Sequence, residues 1–247
     1  MEMNHYDTIA DLFNTVWHFS DEYKEFVHSH IMADLALTST DTLVDIGGGT
    51  GIFTSRLAHE ADLQCAYCIE PSPAMCDEAS KLDNIRAICT DASGFCTLNL
   101  PYTKLLLKEV IHHIRDREEF WKNIHHQLPP TGKLLIITRP QHIAFPFFDA
   151  AKEAFAANQP PHDVLVSELQ KGGFSVETQC RSHTFTLPKQ QWYLMLRHRF
   201  MSDLSHFSDQ EIEEGIDEIE KKYPENHLTI VDNLIFITAT KGLLVKG

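Results

Sequence analysis

Basic residues are scarce in this chain: 21 Lys and Arg stand against 35 Asp and Glu over 247 residues, a formal charge of −14 with histidine neutral. That balance repels a phosphate backbone and an anionic membrane surface over most of the molecule, so neither nucleic acid nor membrane is an expected partner. Long apolar runs are missing as well. No stretch approaches the roughly 18 apolar residues of a membrane span, and the amino-terminal MEMNHYDTIADLF mixes acids among its apolar residues, unlike a secretory or organellar leader. Glycine and proline, 11 of each, are too few and too dispersed to mark a linker, and neither repeats nor low-complexity tracts divide the chain. A single domain over 1–247 is expected, large enough for a substantial core.

Metal-ligand spacings are lacking too. The 15 histidines fall as His112/His113, His125/His126 and singles, with no HExxH and no finger pattern. Cysteines stand at 65, 68, 76, 89, 96 and 180. Cys65 and Cys68 form a CxxC, but in the strand-like QCAYCIE they would point to opposite faces, which suits neither a metal nor a redox pair. Packed free thiols in a reducing cytoplasm are the expectation, with no metal.

What is present is a periodic pattern. Over the first 40 residues Ile9, Leu12, Phe13 and Val16, then Phe26, Val27, Ile31 and Leu35, recur at intervals of three and four, predicting two helices that form a cap. From Thr42 short apolar runs alternate with amphipathic segments: TLVDI, a helix over 52–60, QCAYCI, a helix over 73–80, NIRAICT, KLLLKEVI, a helix over 117–127, then KLLIIT. Repeated strand and helix is the pattern of an α/β doubly wound sheet with both faces covered. Two helix-like segments follow (FPFFDAAKEAFAA and DVLVSELQKGG), then a strand-like FSVETQC. LPKQQWYLMLRHRFMSDL and SDQEIEEGIDEIEKKY read as two more helices, the second opening with Ser208 and Glu211 in capping-box spacing. LTIVDNLIFITAT closes the chain as a strand, so the helical pair, over 186–224, reads as an insertion above the ligand face of a core spanning 41–182 and 226–241.

The decisive segment is Leu43-Val44-Asp45-Ile46-Gly47-Gly48-Gly49-Thr50-Gly51, an apolar strand running into a glycine turn ahead of a helix. Such a turn lets backbone approach a ligand beside the free N–H groups of a helix start. A dinucleotide GxGxxG counted from Gly47 and Gly49 would need glycine at 52, which is Ile, and no Gly-Lys-Ser/Thr follows as a phosphate loop requires. Acidic-x-Gly-x-Gly-x-Gly does match, as Asp45, Gly47, Gly49 and Gly51. In this the chain resembles the class I S-adenosylmethionine-dependent methyltransferases, and in the His112-His113 pair after the fourth strand it resembles the small-molecule branch that includes ubiquinone and menaquinone biosynthesis enzymes. Leu128-Pro129-Pro130-Thr131-Gly132 and Leu169-Gln170-Lys171-Gly172-Gly173-Phe174 resemble the family's turns before strands five and six. Tyr102-Thr103-Lys104-Leu105 departs from it where an acid often opens strand four.

The resemblance implies a Rossmann-like sheet, mostly parallel with an antiparallel last strand, and S-adenosylmethionine as cofactor. It implies that Glu70, 19 residues past Gly51, accepts from the ribose hydroxyls, and that Asp91 and Ala92 border the adenine. Methyl transfer needs placement more than acid–base work, but an oxygen or carbon acceptor must lose a proton, and His112 and His113 are the candidate bases, His113 ahead. Substrate walls are expected from Tyr6, Phe13 and Trp17 and from Trp192, Tyr193, Met195 and Phe200. Arg139, Arg197 and Arg199 are candidate anion sites, although the last two could instead pair with the acidic helix over 211–220. A small-molecule methyltransferase leads, with a protein methyltransferase or a catalytically silent binding subunit as alternatives.

Overall fold

The computed structural model describes residues 6–7 and 19–242. Seven strands, β1 (Thr42–Ile46), β2 (Cys65–Glu70), β3 (Arg86–Cys89), β4 (Lys104–Lys108), β5 (Lys133–Thr138), β6 (Phe174–Pro188) and β7 (His227–Lys241), form one sheet in the order β3-β2-β1-β4-β5-β7-β6. The first five pair in parallel, and β7 lies antiparallel between β5 and β6. This is the expected Rossmann-like arrangement with its reversed last strand.

Side-chain alternation builds the two layers. Val44 and Ile46, Leu105 and Leu107, Leu134 and Ile136 face one core, while Leu43, Leu106, Leu135 and Ile137 face the other. On the second face lie α1 (Asp21–Leu35), α2 (Ile52–Glu60) and α6 (Asp149–Asn158); on the first lie α4 (Ala92–Cys96), α5 (Arg117–Gln127) and α7 (His162–Lys171). Helix α1 forms because Tyr23, Val27, Ile31 and Leu35 repeat every four residues and are all buried. Ser20 caps it by accepting from the Tyr23 N–H at 3.0 Å, and Ala36 ends it in the left-handed region at φ 49°. Fully burying each Leu or Ile of these layers contributes about 1.5–3 kcal/mol. Cys68 belongs to one core and Cys65 borders the other, on opposite faces as the strand pattern requires.

The core elements fall where the periodicity puts them, with α2 at 52–60, α3 at Pro73–Ala79 and α5 at 117–127. Helix α4 was not legible: five residues containing Ser93 and Gly94 carry no apolar period, and the Asp91 cap is what starts it. The late helices α8 (Lys189–Arg197) and α9 (Asp209–Lys222) form, the second with the Ser208–Glu211 capping box. Their boundary needs correcting, because residues 186–188 are strand. β6 and β7 pair over 15 residues, well past the last β5–β7 partners Thr138 and Ile235. Phe185, Leu187, Leu228 and Ile230 point into the core along this extension, while Thr186 and Thr229 face outward with hydroxyls 3.1 Å apart. The cap helix expected at 9–16 lies outside the described residues, as do Phe13 and Trp17. No helix among the described residues is long and apolar enough to cross a membrane.

Candidate active site

A cavity of about 910 Å³ opens at the carboxyl ends of β1, β2 and β4, where open α/β sheets place ligands. Its floor is the turn after β1. Gly47, Gly49 and Gly51 have φ of 70°, 59° and 73°, values that favour glycine. A Cβ on Gly47 would come within 2.5 Å of Val110, so the turn is held against the segment after β4. Gly51 does not line the cavity: it starts α2, and a Cβ there would meet Ile85 at 2.6 Å, so its contribution is to the turn and its packing.

Asp45 lies beneath this turn, 3 % exposed, and accepts from the Thr54 hydroxyl at 2.6 Å. Burial pushes its pKa up to about 6 against the opposing pull of that hydrogen bond and of Lys108. Glu70, 6 % exposed, ends β2. Its two oxygens each accept one backbone N–H, from Gly49 at 3.0 Å and from Ser72 at 2.9 Å, which ties the glycine turn to the neighbouring strand. Burial raises its pKa and these two N–H groups lower it. A carboxylate has about four lone-pair sites, so two acceptor positions remain for a ligand. Asp91 lines the cavity beside Ala92 and accepts from the Gly94 N–H at 2.7 Å.

The scan against family models matches a methyltransferase domain over residues 17–214. The chain belongs to the methyltransferase domain family, in its class I, S-adenosylmethionine-dependent form. Among solved structures, the [4+2]-cyclase SpnF has a TM-score of 0.66 at 15 % identity, covering 97 % of this chain and 94 % of its own. A Haemonchus contortus phosphoethanolamine N-methyltransferase 2 in complex with S-adenosyl-L-methionine gives 0.63 at 18 %, covering 96 % and 57 %. The cyclopropane synthase MmaA2 of Mycobacterium tuberculosis gives 0.60 at 18 %, covering 91 % and 87 %. No curated protein sequence matches the chain. At these identities the solved structures establish the fold of the methyltransferase domain.

S-adenosylmethionine is the cofactor of this family, and the residues present fit it: a glycine turn whose Gly47 and Gly49 line the cavity, the carboxylate of Glu70 at the end of β2, and Asp91 just past β3. The remaining expected residues divide. Tyr6 and His113 both line the cavity, their rings 6.3 Å apart edge to face. His112 turns away, with Nδ1 3.5 Å from the Gln159 amide, and burial together with His113 pushes its pKa down to about 3. Arg139 reaches the cavity, but as an anion site it must be corrected. It donates to both oxygens of buried Asp232 at 2.8 and 2.7 Å, to Tyr23 Oη at 3.2 Å and to Glu109. Burial disfavours its charge, and Asp232 and Tyr23 more than restore it.

Trp192, Tyr193, Arg197 and Arg199 do not line the cavity. Trp192 is fully buried among Phe145, Phe147 and Phe200 and donates to the Pro146 carbonyl at 2.9 Å; Tyr193 donates to Glu220. Arg197 forms a two-pronged pair with Glu213 at 2.6 and 2.8 Å, and Arg199 pairs with Asp209 at 2.6 Å, which is the alternative reading the acidic helix offered. The aromatic walls expected of the insertion are therefore part of the core on the α1 face of the sheet. Sequence reasoning missed Tyr23, Lys108, Glu109 and Asp232. Lys108 had a signal: in KLLLKEV it stands two residues past Leu106, on the same face as Asp45.

Proposed function

We propose that the protein binds S-adenosylmethionine in this cavity and passes its methyl group to O, N, C or S of a small-molecule metabolite. The observation that carries the reading is Glu70, a buried carboxylate fixed by the Gly49 and Ser72 N–H groups at the lip of the glycine turn. When bound, the cofactor supplies an electrophilic methyl on a sulfonium, so in-line displacement needs mainly placement and exclusion of water. Glu70 accepts the ribose hydroxyls, the turn from Gly47 to Gly51 lies beneath the sugar, and Asp91 and Ala92 border the base. His113, the member of the pair that faces the cavity, is placed to take a proton from an acceptor O–H or N–H. His112 is held neutral behind it and serves as its packing partner, with ring centroids 4.1 Å apart.

A cavity of about 910 Å³ is sized for a cofactor with a small acceptor, and the net charge of −14 works against RNA. Six unbridged cysteines fit the reducing cytoplasm. The fold also serves a [4+2]-cyclase, SpnF, so activity has to be measured as methyl transfer itself. Calorimetric titration with S-adenosylhomocysteine tests binding. Glu70→Ala should weaken it by about 1.5–3 kcal/mol, the scale of a charged hydrogen bond, and an unchanged Kd refutes the ribose role. Tight binding without transfer to any metabolite or protein would favour the silent-subunit alternative.

A further inference from the structure

Four charged side chains stand in a row on one face of the sheet at its carboxyl edge. Asp45 of β1, Lys108 of β4, Arg139 just past β5 and Asp232 of β7 share, by alternation, the face of Leu43, Leu106, Ile137 and Leu234. Three of them have polar partners: Asp45 has Thr54, and Arg139 and Asp232 have each other. Lys108 differs. Its ammonium lies 4.6 Å from the centroid of the Phe53 ring, and no carboxylate among the described residues comes within ion-pairing distance. It lines the cavity, and burial pushes its pKa down to about 8 while Asp45 pulls the other way. A cation–π contact offsets only part of what desolvating an ammonium costs. A half-buried ammonium with no carboxylate partner, bordering a ligand cavity, calls for an anion from the ligand.

The place of that anion follows from the sheet order and rests on the cofactor reading above. With ribose at Glu70 on β2 and adenine by Asp91 after β3, the rest of the molecule extends the other way, across the Gly47 turn on β1 toward β4. What arrives there is the amino-acid tail, ending in an α-carboxylate and an α-ammonium. We propose that Lys108 is the receptor for the α-carboxylate of the cofactor's amino-acid tail. Asp45 and Glu109 also line this wall, and Arg139 is already held by Asp232, so Lys108 is the cation on this sheet face left to meet an incoming carboxylate beside those acids. Glu109 leaves the strand in the left-handed region at φ 57° and turns to Arg139, which keeps Lys108 clear of its neighbouring acid.

An acceptor bearing a carboxylate or phosphate is the other source of such an anion, and paired ligands separate the two. Calorimetry compares S-adenosylhomocysteine with its decarboxylated analogue, which keeps the adenosine, the sulfur and the amine. The wild type should favour the carboxylated ligand by tenfold or more. Lys108→Met should lower that affinity about tenfold and leave the analogue's unchanged, so the preference disappears; Lys108→Arg should restore part of it. A Lys108→Met protein that keeps the wild-type preference overturns the inference and leaves an acceptor's anion for this lysine, and equal loss for both ligands overturns it as a packing effect. Folding is checked by the thermal midpoint, which should hold or rise because a half-buried charge with no carboxylate partner is removed. If the wild type binds neither ligand, the cofactor reading itself fails; if Glu70→Ala weakens both ligands alike while Lys108→Met weakens neither, the cofactor reading stands and only the role of Lys108 falls.

Discussion

The two halves of the cavity are built by opposite rules. On the β1–β3 side short segments present backbone or a single acid: the turn at 47–51, Glu70 with Ser72, and Asp91 at the start of α4. On the β4–β7 side the wall is assembled from single side chains far apart in the chain. Tyr23 donates to Asp232, 209 residues away, at 2.6 Å, and Arg139 joins both to Glu109. The first half recognises through local geometry that a nine-residue motif specifies. The second is set by charge placement that exists only once the sheet is assembled, so single substitutions can reshape it without disturbing the first.

Arg139→Met gives that difference its largest test. It leaves Asp232 and Glu109 buried without their cation, and Glu109 Oε1 already has no hydrogen-bond partner among the described residues. Breaking a buried pair from one side typically costs about 3–5 kcal/mol. Urea unfolding should show a loss of that size, with much of it recovered in Arg139→Met/Asp232→Leu, where the uncompensated acid is gone too. A loss below about 1 kcal/mol would mean that the β4–β7 wall is solvated and soft, and the contrast with the first half would not hold.

A smaller effect concerns pH. His112 stays neutral in the fold, with its pKa pushed down to about 3 by burial and by His113, whereas an unfolded histidine titrates near 6.5. Between those values the unfolded chain binds more protons, so stability falls as pH falls, by up to about 1.4 kcal/mol per unit. Asp45 acts in the opposite sense. Its pKa of about 6 in the fold exceeds the unfolded value near 3.9, so the native state binds more protons between pH 4 and 6 and gains stability as pH falls. Comparing urea midpoints of the wild type and His112→Leu at pH 7 and pH 5 cancels the Asp45 contribution, which both proteins share. The wild type should lose about 2 kcal/mol more than the variant over that interval. Equal losses would place a solvated, titrating imidazole at position 112 and restore it as a candidate base beside His113.

Legibility in the sequence followed the same division. The strand and helix alternation and the glycine turn were readable, because period-two and period-3.6 patterns and a fixed glycine spacing are properties of adjacent residues; the reversed last strand and the role expected of Glu70 came from the family resemblance instead. Arg139 was visible as a cation after β5, but its neutralisation was not: Asp232 lies 93 positions on, and nothing local announces that the two share a sheet face. Lys108 fell between these cases. Its side was readable from Leu106, yet its isolation from carboxylates depends on where Glu109 turns and on Arg139 claiming Asp232. The aromatic run at 192–200 misled for the converse reason. Trp192, Tyr193, Met195 and Phe200 are spaced as a pocket wall would be, but beside the long β6–β7 extension they are buried with Phe145, Phe147 and Phe185 in the core on the α1 face of the sheet.

The smallest expected effect sharpens the boundary of the site from outside. Arg197 is 44 % exposed and its partner Glu213 55 %, so their two-pronged pair exchanges water contacts for ion contacts at little net gain. Arg197→Ala should cost about 0.2–1 kcal/mol in urea unfolding, diminishing in high salt as surface charge is screened. Binding of S-adenosylhomocysteine should be unchanged, since neither α8 nor α9 lines the cavity. The informative measurement is KM for the acceptor once one is found. An Arg197→Ala protein with an unaltered KM leaves acceptor recognition to the residues that line the cavity. A KM raised several-fold with kcat preserved would show that the insertion swings its basic edge onto the acceptor during turnover, and would make the second half of the site an assembled lid as well as a wall.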